Sequence, residues 1–267
     1  MIRYIILLFL TANMGLGLQA QITPRFQLST PQLEIDSIFF FQNAVVELEM
    51  DYPGATIYYT TDGTAVDNKS MIYDGPFYIL QTADLRAKAF HPNLRNSEEV
   101  RVSLRQLPAQ KVSMNLRARQ APNSRYQGSG VQGLMDQKKG PLNFAGDKEQ
   151  WMGWQVDSLD FQIDFSEATA LDGLTLSILE NHGAWIFAPE SVQVFEDKRL
   201  IGAYNYPVPE AAKPAGFQFI DVPLEPGNYT TLTVRLQATP LPVWHPGAEQ
   251  SQVGWLFIDE IIPLLKH

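Results

Sequence analysis

Cysteine is absent from all 267 residues, so the chain has neither a disulfide framework nor a thiolate to ligate metal or attack a substrate. Basic residues are scarce. The 20 Lys and Arg stand against 29 Asp and Glu, a net charge of −9 with histidine neutral, and no Lys/Arg cluster breaks the balance. Nucleic acid and anionic lipid are therefore not partners that a general basic field would attract. No apolar run is long enough to span a bilayer. Catalytic signatures are missing too: there is no G-x-S-x-G nucleophile turn, no phosphate-cradling P-loop and no dinucleotide-binding unit. Four histidines, at 91, 182, 245 and 267, show no metal-ligand spacing.

What the first twenty residues do contain reads as an export signal. Arg3 precedes an apolar core at 4–10, and small, turn-prone residues run to Leu18, Gln19 and Ala20. Cleavage after Ala20 would remove Arg3, leaving 20 − 1 = 19 basic residues against 29 acidic, a net of −10. The destination is the periplasm, the cell surface or the medium, and the lack of a cysteine excludes a lipid anchor on that residue. Asn68-Lys69-Ser70 and Asn228-Tyr229-Thr230 match a glycosylation sequon that is frequent by chance.

Beyond the signal, short alternating apolar segments separated by turn residues predict an all-β chain in two domains, 25–107 and 108–267. In the first, segments at 45–50, 56–60, 77–80, 85–90 and 100–104 recur at a spacing suited to a small antiparallel sandwich. Asp62 and Asp74 each precede a glycine, which makes them turn residues before they are candidate acids. Pro108 breaks the pattern and marks the boundary. Alternation resumes at 158–165, 174–179, 191–195, 217–222, 232–238 and 255–262, and all five tryptophans lie in this second half. Trp151 and Trp255 fit core positions. Trp185 and Trp244 fall in loops, the first beside Asn181, His182 and Phe187, the second beside His245. Two such loops at one end of a sandwich would form an aromatic floor for the apolar face of a sugar, with imidazole and amide groups reading its hydroxyls. The alternative is that the same aromatics cap the core. Adjacent Asp259 and Glu260 would point to opposite faces of a strand, so they cannot flank one glycosidic bond.

The runs IYYTTDGT at 57–64, YDGP at 73–76 and LRAKAF at 85–90 resemble the small immunoglobulin-like or fibronectin-like β-sandwich that follows the catalytic domain of chitobiases and β-N-acetylhexosaminidases, found also in some family 29 fucosidases. The blocks GLMD at 133–136, WMGW at 151–154, FQIDF at 161–165, WIFAPESV at 185–192, WHPGA at 244–248 and WLFIDEI at 255–261 resemble the discoidin-like (F5/8 type C), galactose-binding-like jelly roll appended to bacterial family 20 hexosaminidases.

These resemblances imply two sandwiches in tandem and an accessory role without chemistry. They also imply a glycan partner, containing N-acetylhexosamine or galactose, or a glycoside hydrolase or surface protein that the chain accompanies. The discoidin-like fold implies a structural calcium, for which Asp136, Asn143 and Glu260 are the matching side chains, with carbonyls around Gly140; Lys138 and Lys139 would oppose the ion unless they point into solvent, and the alternative is a calcium-free loop tied by hydrogen bonds to Asp136. The expected ligand-binding set is Asn181, His182, Trp185, Phe187, Trp244 and His245. An exported, non-catalytic carbohydrate-binding protein is the function these readings favour. The rivals are a structural, adhesion or docking protein and, with less support, a glycoside hydrolase, for which a barrel of about 300 residues finds no room.

Overall fold

The structure is a computed structural model that describes residues 26–108, 112–250 and 252–266. The expected export signal lies outside the described residues. No α-helix occurs among them; the chain is all-β, with short 3-10 turns.

Alternating burial along the two longest-patterned strands, 44–49 and 83–90, closes the first two sheets on one another. β1 (Gln32–Ile35), β3 (Ala44–Glu49) and β6 (Phe77–Ile79) form one sheet. The other runs β2 (Phe39–Phe40), β8 (Val100–Gln106), β7 (Ala83–Phe90), β4 (Thr56–Thr60) and β5 (Met71–Ile72). Val46 and Leu48 from β3 meet Ile57, Leu85, Ala87 and Leu104 from the facing sheet. The turn after β4 is tied by Asp62, whose carboxylate accepts from both the amide and the hydroxyl of Thr64, at 3.1 and 2.6 Å. Those bonds hold its pKa down and use the group structurally.

The second sandwich is built on one long antiparallel pair, β11 (Ser158–Glu180) and β14 (Gly216–Gln237). Register shifts between Asp164 and Thr169 and again near Gly173 bend β11, so one strand enters both layers. Its first half pairs with β9 (Met114–Ala118) on one side and with the end of β14 on the other; β12 (Ser191–Glu196) and β13 (Arg199–Asn205) continue that layer. Its second half lies between the start of β14 and β15 (Leu256–Leu265), beyond which comes β10 (Met152–Trp154). Leu159, Phe161 and Ile163 from one layer and Leu174, Leu176 and Ile178 from the other fill the space between, with Val192, Val234 and Ile258. On the outer face Arg235 forks onto Asp160 at 2.8 and 2.9 Å across directly paired positions and holds that carboxyl below its usual range.

The sequence reads 158–165 and 174–179 as separate strands. They are one strand because the polar residues between them sit in the bend rather than in a loop. For the same reason 217–222 and 232–238 are the two ends of β14.

The two sandwiches pack together through a small apolar cluster. Phe39 and Leu107 meet Ile262, with Ile38 and Phe219 alongside. The Phe39 and Phe219 rings lie 5.7 Å apart. Arg105 reaches Asp221 at 2.7 Å and lies over the Phe219 ring at 4.9 Å, while Thr175 holds the other Asp221 oxygen at 2.6 Å. Truncating Phe39 removes the central ring of this contact. Phe39→Ala is expected to cost about 3 kcal/mol and to split a single calorimetric unfolding transition into two. An unchanged single transition would show that the cluster does not couple the domains.

Candidate functional site

Three connections between strands gather at one end of the second sandwich: residues 181–190, 206–215 and 238–255. The first is a stiff hairpin. Asn181 and Ile186 exchange backbone hydrogen bonds at 2.9 and 3.0 Å, and the Asn181 side chain accepts from the Ala184 amide. A single 3-10 turn, His182–Ala184, then delivers Trp185 with φ of 66°. A bulky residue adopts that left-handed conformation only where its surroundings over-determine it. Here they do. The Trp185 amide bonds to the His182 carbonyl, and its own carbonyl accepts from Trp255 at 2.8 Å. Gly247 lies directly under its ring, where a Cβ would stand 2.3 Å from the indole.

The two tryptophan-bearing loops therefore meet. Trp185 approaches His245 edge-on at 4.9 Å, and Trp244 lies 5.4 Å from His182 and 6.1 Å from Phe187. His182 stacks flat on Phe187 at 4.4 Å. The third connection is laced to the same group. Pro209 accepts from the Trp244 indole nitrogen at 2.7 Å, the Lys213 amide donates to His182 Nδ1 at 3.0 Å, and the Tyr206 hydroxyl donates to Glu180 at 3.2 Å.

The hydrogen bonds divide the expected binding residues into two kinds. His182 Nδ1 accepts, so its Nε2–H donates to buried Glu180 at 3.0 Å. His245 Nδ1 accepts from the Gly247 amide, and its Nε2–H donates to the His182 carbonyl at 3.2 Å. Both rings are buried, with every nitrogen engaged inside the protein, and Phe187 is buried beneath them. Asn181 spends its side-chain oxygen on the turn. Trp185 and Trp244 are only partly buried and are the rings of the set that reach solvent. Val243, 98% exposed, and Val208, 49% exposed, flank the Trp244 contact. The sequence passes over Glu180, Tyr206 and Lys213 as parts of one network. The signal for Glu180 and His182 is their spacing of two, which gives neighbouring residues a common face at a strand end. Nothing local ties them to Tyr206 or Lys213. Lys213 Nζ stands 3.9 Å from the Glu180 carboxylate. Burial first, then that carboxylate, raises the Tyr206 phenol well above its ordinary range.

The loop expected to hold calcium is differently occupied. Lys138 is exposed, but Lys139 turns inward, the orientation in which it opposes a calcium ion. Its ammonium lies 2.6 Å from Asp259, a fully buried residue that also accepts from the Gly140 amide at 2.7 Å. Glu260 accepts from the Gln137 amide at 2.9 Å, and Asp136 from that of Lys138 at 2.9 Å. Asn143 is exposed. Asp259 and Glu260 do not divide between a buried and an exposed face as adjacent strand residues should. A bulge opposite Ser177 and Ile178 skips Asp259 in the register, and both are buried beside the same loop. A calcium ion needs converging oxygens. This loop presents amide hydrogens to its carboxylates instead, and among the described residues no group of three or more His, Cys, Asp or Glu is arranged to hold a metal. The donor set does not fit the ion.

Comparison with known proteins places the first sandwich. Residues 39–102 match the family described as the chitobiase/beta-hexosaminidase C-terminal domain. No curated protein sequence matches the chain. Among solved structures, a SusE-like protein aligns at 11% identity over 87% of this chain and 97% of its own, with a TM-score of 0.34. A CBM32 module of a family 31 glycoside hydrolase from Clostridium perfringens aligns at 12% identity over 58% and 92%, with a TM-score of 0.35. A fucolectin from striped bass, Morone saxatilis, aligns at 8% identity over 85% of each chain, with a TM-score of 0.32. No helix among the described residues is long and apolar enough to cross a membrane.

Two measurements check this geometry. Gly247→Ala should expel the Trp185 indole from its seat and collapse the near-ultraviolet circular dichroism of that ring; an unaltered spectrum would refute the packing. The folded Tyr206 phenol keeps its proton beyond the ordinary value of about 10, so the unfolded chain ionises first and stability falls as pH climbs above about 10. In Tyr206→Phe the alkaline fall in urea midpoint should be shallower than in the parent.

Proposed function

We propose that this chain is an exported carbohydrate-binding accessory protein, without chemistry of its own, that meets glycans through Trp185 and Trp244. The convergence of two tryptophan-bearing loops at one end of the sandwich carries the reading: both indoles are partly exposed and both are held from behind. Indole faces bind the apolar C–H face of a saccharide ring. His182, His245 and Phe187 act here as the frame that sets those faces, with Asn181 shaping the hairpin, while hydroxyls would be read from the rim, where the exposed Lys213 side chain is available. The match of residues 39–102 to the chitobiase/beta-hexosaminidase C-terminal domain supports a glycan setting, and the candidate ligands are N-acetylhexosamine- or galactose-containing glycans. The first sandwich then serves as a spacer or as the part that docks onto a glycoside hydrolase or surface protein.

One observation favours a second reading, a protein-docking or adhesion module. The histidine nitrogens expected to read hydroxyls are spent, and Val243 and Val208 beside Trp244 are apolar and exposed. A glycan array followed by calorimetric titration separates the two. Weak binding is expected, lost by about tenfold or more in Trp185→Ala and Trp244→Ala, with unchanged far-ultraviolet dichroism and no turnover of chromogenic hexosaminides. Binding that survives both substitutions removes these rings from the site, and silence across the array leaves the docking reading.

A further inference from the structure

We propose that the Lys139 ammonium is the resident structural cation of the second sandwich, serving its carboxylate-bearing loop in place of a divalent ion and making the fold independent of calcium. The argument begins with burial. Asp259 and Glu260 are 0% and 1% exposed, and the bulge in β15 brings both to the loop 136–140. A carboxylate as deeply buried as that of Asp259 demands a positive charge, since burying an unpaired one costs several kcal/mol at least. Lys139 supplies it. Its side chain is 9% exposed and its nitrogen lies 2.6 Å from Asp259 Oδ2; burial pulls its pKa down, and the charge and hydrogen bond of Asp259, then the charge of Glu260, act to keep its proton in place.

The rest of the pocket is shaped for an ammonium rather than a metal. The Lys139 nitrogen stands 3.9 Å from the centre of the Phe217 ring and 4.3 Å from that of Trp151. Faces of aromatic rings attract a cation but offer no lone pair to coordinate calcium. Gly140 is required by the same arrangement. Its amide shares Asp259 Oδ2 with Lys139, and a Cβ there would strike Trp151 at 2.5 Å. Trp151 is fixed in turn by its bond to the Pro141 carbonyl at 2.7 Å. The ammonium also reaches toward the first sandwich, whose Phe39 ring centre is 5.9 Å away. One charge thus pairs with the buried Asp259 carboxylate and stands behind the contact between the two domains.

Thermal unfolding of the full chain tests this, in millimolar calcium chloride and again in excess EDTA. The parent should unfold at the same temperature in both. Lys139→Met should lower Tm by roughly 6–20 °C, the range set by breaking a buried pair in a domain of this size. Lys139→Met combined with Asp259→Asn, which removes both charges, should recover most of that loss, and it keeps the test open if the single variant does not fold. A parent stabilised by several degrees in calcium would overturn the proposal. So would a double variant no more stable than the single one, because the defect would then be one of packing rather than of charge.

Discussion

Everything in the second sandwich hangs from the pairing of β11 with β14, which runs from Ser158 opposite Gln237 to Glu180 opposite Gly216. Backbone hydrogen bonds must be satisfied inside a folded protein, and a strand that served only one layer would have to end and begin again. By bending near Ser166 without ending, this pair passes between layers and fixes their relative position. The strand ends that result place three connections at one end of the sandwich. The site follows from the ends of that pair: Glu180 closes β11 and leads into the Trp185 hairpin, while Gln237 closes β14 and leads into the segment that carries Trp244 and His245.

The sequence made the layers legible and the bend illegible. Alternation marks 158–165 and 232–238 because each buries one face, and the same rule finds 191–195 and 255–262. It misses β1, β2, β5, β9, β10 and β13, all of which lie at sheet edges and most of which are five residues or shorter. It cannot see that Ser166 and Glu167 stay within a strand, because polar residues at a bend look like a turn. The first sandwich was more transparent, since IYYTTDGT and LRAKAF pair directly as β4 and β7.

The site was legible in its aromatics and opaque in its polar atoms. Loop position alone singled out Trp185 and Trp244, and they do come together. The fate of a histidine nitrogen depends on which backbone amide arrives beside it, and the amides that reach His182 and His245 come from Lys213 and Gly247, one of them 31 residues away. Lys139 was obscured for a related reason. The sequence leaves open which way Lys138 and Lys139 point, and the inward partner of Lys139 is Asp259, brought to the loop by a backbone bulge that has no composition of its own.

The left-handed backbone at Trp185 has a consequence for recognition that concerns entropy rather than contact. Its ring is wedged over Gly247, and the indole of Trp244 is tethered at its nitrogen, so the freedom of both side chains is surrendered when the protein folds. A ligand that meets them has no rotamers left to freeze, a cost that runs to about 0.5–1.5 kcal/mol for each mobile side chain ordered on binding. Rings fixed before any encounter leave more of the contact energy for whatever partner they meet.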